Sequence, residues 1–330
     1  MSATFLYWHV RTIAAWLLSL VSVVVLASSN SAFLNPGNLF ALLQSFAVLA
    51  LMGVALGLVM LAGEFDLSIV GVFPLAALVA VKLSDGLGAG LATALAILVG
   101  ALFGLLNGVV TAVFRIPSLA VTVGSMVLAI GVGFAMASGQ IVQAVDFRPG
   151  LLLTDRIGGI LSMQSIIQLV LVCVALLLVH YTWFGRNVYA VGGDNARARA
   201  SGLPVVSTTI LLFVICGALT AVGGSLQGIT LATGQAGPNE GILLQAATAA
   251  ILGGVALTGG KGNLVGVIGG AFLLTTLANG LSLMGADSAT IQLVNGAILF
   301  LVVIVDRPLN RLIDRGLTAS SRTTPELVPH

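Results

Sequence analysis

About ten apolar runs, each long and nearly free of charge, divide this chain of 330 residues. They cover roughly residues 13–29, 39–62, 67–83, 88–114, 118–138, 164–183, 207–229, 243–257, 264–284 and 290–305. A helix of about 20 apolar residues crosses a hydrocarbon core of about 30 Å. Only 7% of the residues are charged and the mean hydropathy is +1.14, where a soluble domain carries roughly 25% charged residues. The solvent for most of this chain is therefore lipid. Unbroken apolar runs, rather than short alternating segments, exclude a barrel. The expected fold is an all-α integral membrane protein, a polytopic bundle of about ten transmembrane helices.

The 41 glycines fit that setting, because small residues let helix backbones approach in membranes. Gly100, Gly104 and Gly108 recur every fourth residue, as do Gly53 and Gly57, and Gly266 and Gly270. Such stripes serve static packing or helices that slide, and the spacing does not choose between them. Cys173 and Cys216 both lie in apolar runs and show no metal-ligand spacing. The first run is slightly long for a cleaved leader and reads as a retained helix.

With the N-terminus cytoplasmic, one side of the membrane receives Arg11, Arg115, Arg186, Arg197, Arg199, Lys261, Arg307, Arg311, Arg315 and Arg322, and the other only Lys82, Arg148 and Arg156. Basic residues favour the cytoplasmic side, so both ends are expected there, after an even number of crossings. The domain expectation is a transmembrane bundle over 1–305 and a polar cytoplasmic tail over 306–330, Ser/Thr/Pro-rich from Leu317 and expected to be disordered.

The most polar internal stretch is GRNVYAVGGDNARARASGLPV, residues 185–205, with apolar runs on either side. It is too long for a tight connection, and its first half is too rich in glycine for one straight helix. NARARAS favours a short helix, with Asp194 or Asn195 as cap and Gly202 and Pro204 ending it. A helix carrying Arg197 and Arg199 on the cytoplasmic surface suits docking into another protein; a solvated connector fits equally well.

Three further stretches matter. AGEFDLSIVG (62–71) puts Glu64, Asp66 and Ser68 beside an apolar run, where Asp66 is expected to cap the third helix and Glu64 could serve a gate. GLLNGVVTAVFRIPSLAVTVGSM (104–126) holds Asn107 and Thr122. ILGGVALTGGKGNLVGVIGGAFLLTTLANGL (251–281) holds Asn279; its GGKG fails as a phosphate loop, since Gly262 follows Lys261 where Ser or Thr is needed. It reads instead as a tight turn. Asn107, Thr122, Gln227, Gln245 and Asn279 either line a polar path or bond between helices. No acid, Lys, Arg or His stands in mid-helix, which speaks against ion coupling.

Together these four stretches resemble the ABC-transporter permeases of the ribose/monosaccharide type, over about residues 39–305. Val70, with Pro74 after it, and Ser118-Leu119 depart from the family pattern, which bears on substrate. The resemblance implies a transport subunit, not an enzyme, moving a monosaccharide or related polyol by alternating access. It implies that Gly185, Arg186, Asn195, Arg197, Arg199 and Gly202 meet cytoplasmic ATPase subunits. Glu64, Asp66, Ser68, Asn107, Thr122, Gln227, Gln245 and Asn279 are the path or gate candidates. No cofactor or metal is implied for this chain, since ATP and Mg belong to the partner ATPase. The other implied partners are an extracytoplasmic sugar-binding protein, a second copy of the permease and the lipid bilayer, with no nucleic acid. The implied location is the bacterial cytoplasmic (inner) membrane. A stand-alone secondary transporter or channel is the competing reading.

Overall fold

The computed structural model describes residues 3–321, with side chains over 11–304. Among the described residues the chain forms thirteen helices. The first five are α1 (Ala3–Ser29), α2 (Pro36–Leu61), α3 (Ile69–Leu87), α4 (Ala89–Phe114) and α5 (Ser118–Ala137). Next come α6 (Arg148–Thr154), α7 (Met163–Tyr181), α8 (Trp183–Gly193) and α9 (Asn195–Ala200). α10 (Val205–Leu231), α11 (Glu240–Leu252), α12 (Leu264–Leu283) and α13 (Ser288–Ser321) complete the chain. Four two-residue strands, β1 (Val142–Gln143), β2 (Arg156–Ile157), β3 (Leu161–Ser162) and β4 (Thr233–Gly234), pair as β1 with β4 and β2 with β3, both antiparallel.

Among the described residues, eight helices are long and apolar enough to cross a membrane: α2, α3, α4, α5, α7, α10, α12 and the Arg11–Ser29 part of α1. The remaining two apolar runs form shorter apolar helices, α11 and the Ser288–Ile304 part of α13. The run read as 243–257 stops at Leu252, where Gly253 and Gly254 turn the chain. α13 continues as helix across 305 to Ser321, so the stretch after Leu317 is helical as far as that residue. The rest of the expected tail, with Arg322, lies outside the described residues.

Local chemistry sets several of these starts. Asn35, Ser162, Asn239 and Asn263 each accept a backbone N–H of the helix that follows, and Pro36 opens α2, where a missing N–H costs nothing. The core centres on α2, whose residues from Phe46 to Leu61 are all buried, packed with α10, α11 and α12. On the periphery, α1, α4, α5 and α7 turn Leu and Val outward, as Leu20, Leu98, Leu128 and Leu177 do. This is the belt that lipid covers.

The glycine stripes are sites of backbone contact. A Cβ on Gly104 would stand 2.1 Å from Phe213 O, and one on Gly100 2.4 Å from Gly217 O, so α4 lies directly on α10. Likewise a Cβ on Gly266 would stand 2.0 Å from Gly253 O, and one on Gly270 2.4 Å from Ala249 O. Gly53 and Gly57 face Val267 and Leu264 of α12 more loosely, with a Cβ at 3.1 Å.

Pro74 stands inside α3. It has no N–H to give to Val70 O, and that carbonyl instead accepts the Asn239 N–H at 3.0 Å. The departure at Val70 and Pro74 thus belongs to a docking point for the α10–α11 connection.

Candidate functional site

The segment 185–205 folds as two helices with a corner between them. Its first half is helical after all: α8 includes Gly185, Gly192 and Gly193. Glycine is used here for contact. A Cβ on Gly185 would stand 1.8 Å from Val179 O, and one on Gly192 1.9 Å from Leu61 O and 2.5 Å from Gly260 N. The turn 254–262 closes against this surface. Gly260 donates its N–H to Leu61 O at 2.8 Å, and Tyr189 Oη donates to Gly262 O at 3.0 Å. The end of α2, helix α8 and the Lys261 turn are thereby locked into one floor, and Gly260 takes φ 68, which favours glycine.

α9 projects from that floor. Asp194 is its N-cap, accepting the Arg197 N–H at 3.0 Å, and its other oxygen pairs with Arg197 Nε at 2.9 Å. Arg199 Nε donates to Asn195 Oδ1 at 2.8 Å. After Ser201 the helix ends at Gly202, φ 77. The side chain of Arg197 is 88% exposed and Arg186 is exposed as well, whereas Asn187 and Val188 turn inward.

Behind α9 lies a cavity of about 490 Å³ lined by Glu64, Thr111, Arg115, Asn195, Arg199 and Thr209, among others. Its inner wall leads to a buried polar cluster. Asp66 is wholly buried, and its Oδ1 accepts Ser68 N at 2.9 Å and Ser68 Oγ at 2.5 Å. Ser68 Oγ in turn accepts Asn107 Nδ2 at 2.9 Å. Ser118 Oγ accepts the Phe65 N–H at 3.1 Å, and Thr122 Oγ1 donates to Ser118 O at 2.8 Å. Cys216 of α10 lies near the Asp66 carboxylate, whose Oδ2 is buried with no hydrogen-bond partner among the described residues. Asn107 Oδ1 and Thr111 Oγ1 are also buried without a partner among the described residues. Burial pushes the Glu64 carboxyl above its ordinary pKa, and a hydrogen bond with Ser118 partly offsets this.

The third helix begins differently from expectation. Ser68, not Asp66, is its N-cap residue; Asp66 sits two residues earlier and holds Ser68 rather than the helix itself. Cys216 is eleven residues along α10 from Val205, about 16 Å of helix, so the connection runs from the floor at Gly63 and Glu64 inward to Asp66. Protein covers it there, as irregular backbone at membrane depth requires.

Five of the eight path candidates, Glu64, Asp66, Ser68, Asn107 and Thr122, therefore come together. The other three do not join them. Asn279 forms a reciprocal amide pair with Asn38, Nδ2 to Oδ1 at 2.8 and 2.9 Å, which binds α12 to α2. Gln227 is half-buried on α10 and lines a second cavity, of about 320 Å³. Gln245 is half-buried on α11 with no side-chain partner among the described residues. Sequence reasoning missed Ser118 and Cys216 as members of the cluster, and it missed Glu240. The pair Asn239-Glu240, a cap followed by an acid in the first turn, was the readable sign that α11 starts at 240 rather than 243.

Basic residues gather at the two ends of the bundle. Arg115 and Arg199 line one cavity, Lys261 sits in the turn against α8, and Arg11 reaches Gly254 in the same turn. At the other end Lys82 Nζ donates to Met136 O, Arg148 and Asp85 line one cavity, and Arg156 stacks on the Phe40 ring at 4.8 Å.

Comparison with known proteins gives this arrangement a family. Residues 38–303 match the family described as branched-chain amino acid transport system / permease component. The chain is 32% identical to the ribose import permease protein of Escherichia coli (strain K12) over 296 residues, 88% of this chain and 91% of that one. It is 33% identical to the L-arabinose transport system permease protein of the same organism over 253 residues, 74% of this chain and 75% of the other. A metal-chelate type ABC transporter, solved in an inward-facing conformation, shares the fold with a TM-score of 0.53 at 18% identity, covering 90% of this chain and 99% of its own. The chain belongs to the branched-chain amino acid transport system / permease component family, and is a multi-pass ABC-transporter permease of the bacterial cytoplasmic membrane, a transport subunit rather than an enzyme.

Proposed function

We propose that this permease carries a monosaccharide or related polyol inward, in a complex of two copies of itself with cytoplasmic ATPase subunits. The observation that carries the substrate class is the similarity, over most of both chains, to proteins named for ribose and L-arabinose import. In this reading an extracytoplasmic sugar-binding protein delivers the solute, and ATP with its Mg is bound and hydrolysed on the ATPase. Both ends of the chain face the cytoplasm, as the basic residues favour.

Residues 185–205 are the contact with the ATPase. α9 stands out from a floor to which α2, α8 and the 254–262 turn are bonded, so a push on α9 reaches α2 through Gly192 and Leu61. It also reaches the Glu64 cluster across the cavity that Arg199 and Glu64 share. The permease contributes two conformations whose populations the ATPase and the binding protein shift. The cluster at Glu64, Asp66, Ser68, Asn107 and Thr122 sits where such a shift would open or close the inner end.

The test is uptake of labelled D-ribose and L-arabinose into vesicles holding the assembled complex. The expected result is accumulation of at least one sugar that requires ATP on the ATPase side and the binding protein on the other. Uptake that needs neither would leave the stand-alone transporter in its place.

A further inference from the structure

The connection between α10 and α11 leaves the surface and runs into the bundle. β4 pairs with β1 toward the end that holds Lys82 and Arg148. From there Gly234 lies against Leu78 of α3, Ala236 packs on Gly133 of α5, and Asn239 donates its N–H to Val70 O. From Leu78 to Val70 is eight residues of α3, about 12 Å. Val70 itself is twelve residues below Lys82, about 18 Å of helix, well inside a hydrocarbon core of about 30 Å. Residues 234–239 thus descend beside α3 without helix, and α11 begins at Glu240 at that depth. Pro74 makes the descent stable by freeing the carbonyl to which Asn239 bonds.

Non-helical backbone and a carboxylate at this depth are tolerated only where protein covers them or water reaches them. Gln235 and Glu240 are exposed. Gln227 and Gln235 make no side-chain hydrogen bond among the described residues, and Asn239 uses only Oδ1, to accept Ile242 N. α3 is buried from Ile69 to Val81 except at Pro74 and Ala77, and those two line the cavity of about 320 Å³ with Gln227, Gln235 and Asn239.

We propose that residues 232–240 form a re-entrant wall of the aqueous path, and that this cavity is a transient subsite for a neutral polyhydroxylated solute. Carboxamides of Gln227, Gln235 and Asn239 both donate to and accept from hydroxyls. The subsite rests on the sugar reading above; the wall does not.

Cysteines at Gln235→Cys and Glu240→Cys, in the assembled transporter in membranes, separate the two claims. A charged, membrane-impermeant methanethiosulfonate should modify both at least ten-fold faster than Leu128→Cys on the outward face of α5. Modification only by a lipid-soluble maleimide would overturn the wall. D-ribose or L-arabinose at millimolar concentration should slow the reaction at Gln235→Cys, and Gln235→Ala should cut uptake at least ten-fold while ATPase assembly is unchanged. Reactive thiols with neither effect, in a complex that transports one of the sugars, would overturn the subsite. If the native complex moves neither sugar, the sugar reading and the subsite fall together, and the thiol reaction still decides the wall.

Discussion

Gly192 has no room for a side chain, because a Cβ there would stand 1.9 Å from Leu61 O, while its neighbour Gly193 faces open space. Gly192→Ala should therefore destabilise the permease by at least the usual overpacking cost of about 1–3 kcal/mol. Gly193→Ala should stay within about 0.5 kcal/mol of the native chain. Thermal unfolding in detergent reads both; equal midpoints for the pair would mean that the floor yields easily. Glu64 makes a pH-dependent contribution. Burial raises its pKa in the folded chain, so the protonated form is the one that folding favours. The stability it contributes is fully present below its unfolded value and is lost as pH rises through the raised one. Glu64→Gln should unfold at a higher temperature than the native chain at pH 8, with the gap closing toward pH 4. A gap that does not change with pH would show that Glu64 is fully solvated.

Elements carry the coupling, and α9 is the smallest of them. It holds its shape through Asp194, so Asp194→Ala should cost it about 0.5–2 kcal/mol. Reversing the exposed charges, Arg197→Glu with Arg199→Glu, should leave insertion intact but weaken assembly with the ATPase or uncouple hydrolysis from uptake. Co-purification and coupled ATPase assays measure this, and normal values in both would reduce 185–205 to a solvated connector. The α9 helix, its cap and its stop at Gly202 were legible in the sequence, since they depend on neighbours in the chain. α8 was not legible, because Gly185, Gly192 and Gly193 look like breaks until the backbones of Val179, Leu61 and Gly260 are seen beside two of them. The start of α11 was hidden for a related reason. Val70 O is free because Pro74 has no N–H, and the group that takes it, Asn239, lies more than 160 residues further along the chain.

At the scale of the whole molecule, the apolar runs gave the membrane bundle directly, since every run became a helix. Depth could not be read in this way. Counting runs places 63–66 and 230–242 between helices and leaves their depth open, yet Asp66 and residues 234–239 lie within the bundle, held by side chains and carbonyls distant in sequence. The two inward turns are alike in offering scattered single hydrogen-bonding groups. The cluster at Asp66 is nearly closed on itself, and the cavity at Gln227 is shallow and lined half by apolar residues such as Phe73, Pro74 and Leu231. Neither encloses a solute the size of a hexose with partners on every side, which is what strong binding demands. Weak holding also suits transport, because a solute bound tightly inside would leave slowly, and a delivery protein can supply the selectivity. The isolated permease should bind D-ribose or L-arabinose only in the millimolar range or more weakly, equivalent to about 4 kcal/mol. Calorimetry on the purified permease checks this directly. Micromolar affinity without the binding protein would place specificity inside the membrane, and would require an enclosed pocket that neither inward turn forms in this conformation.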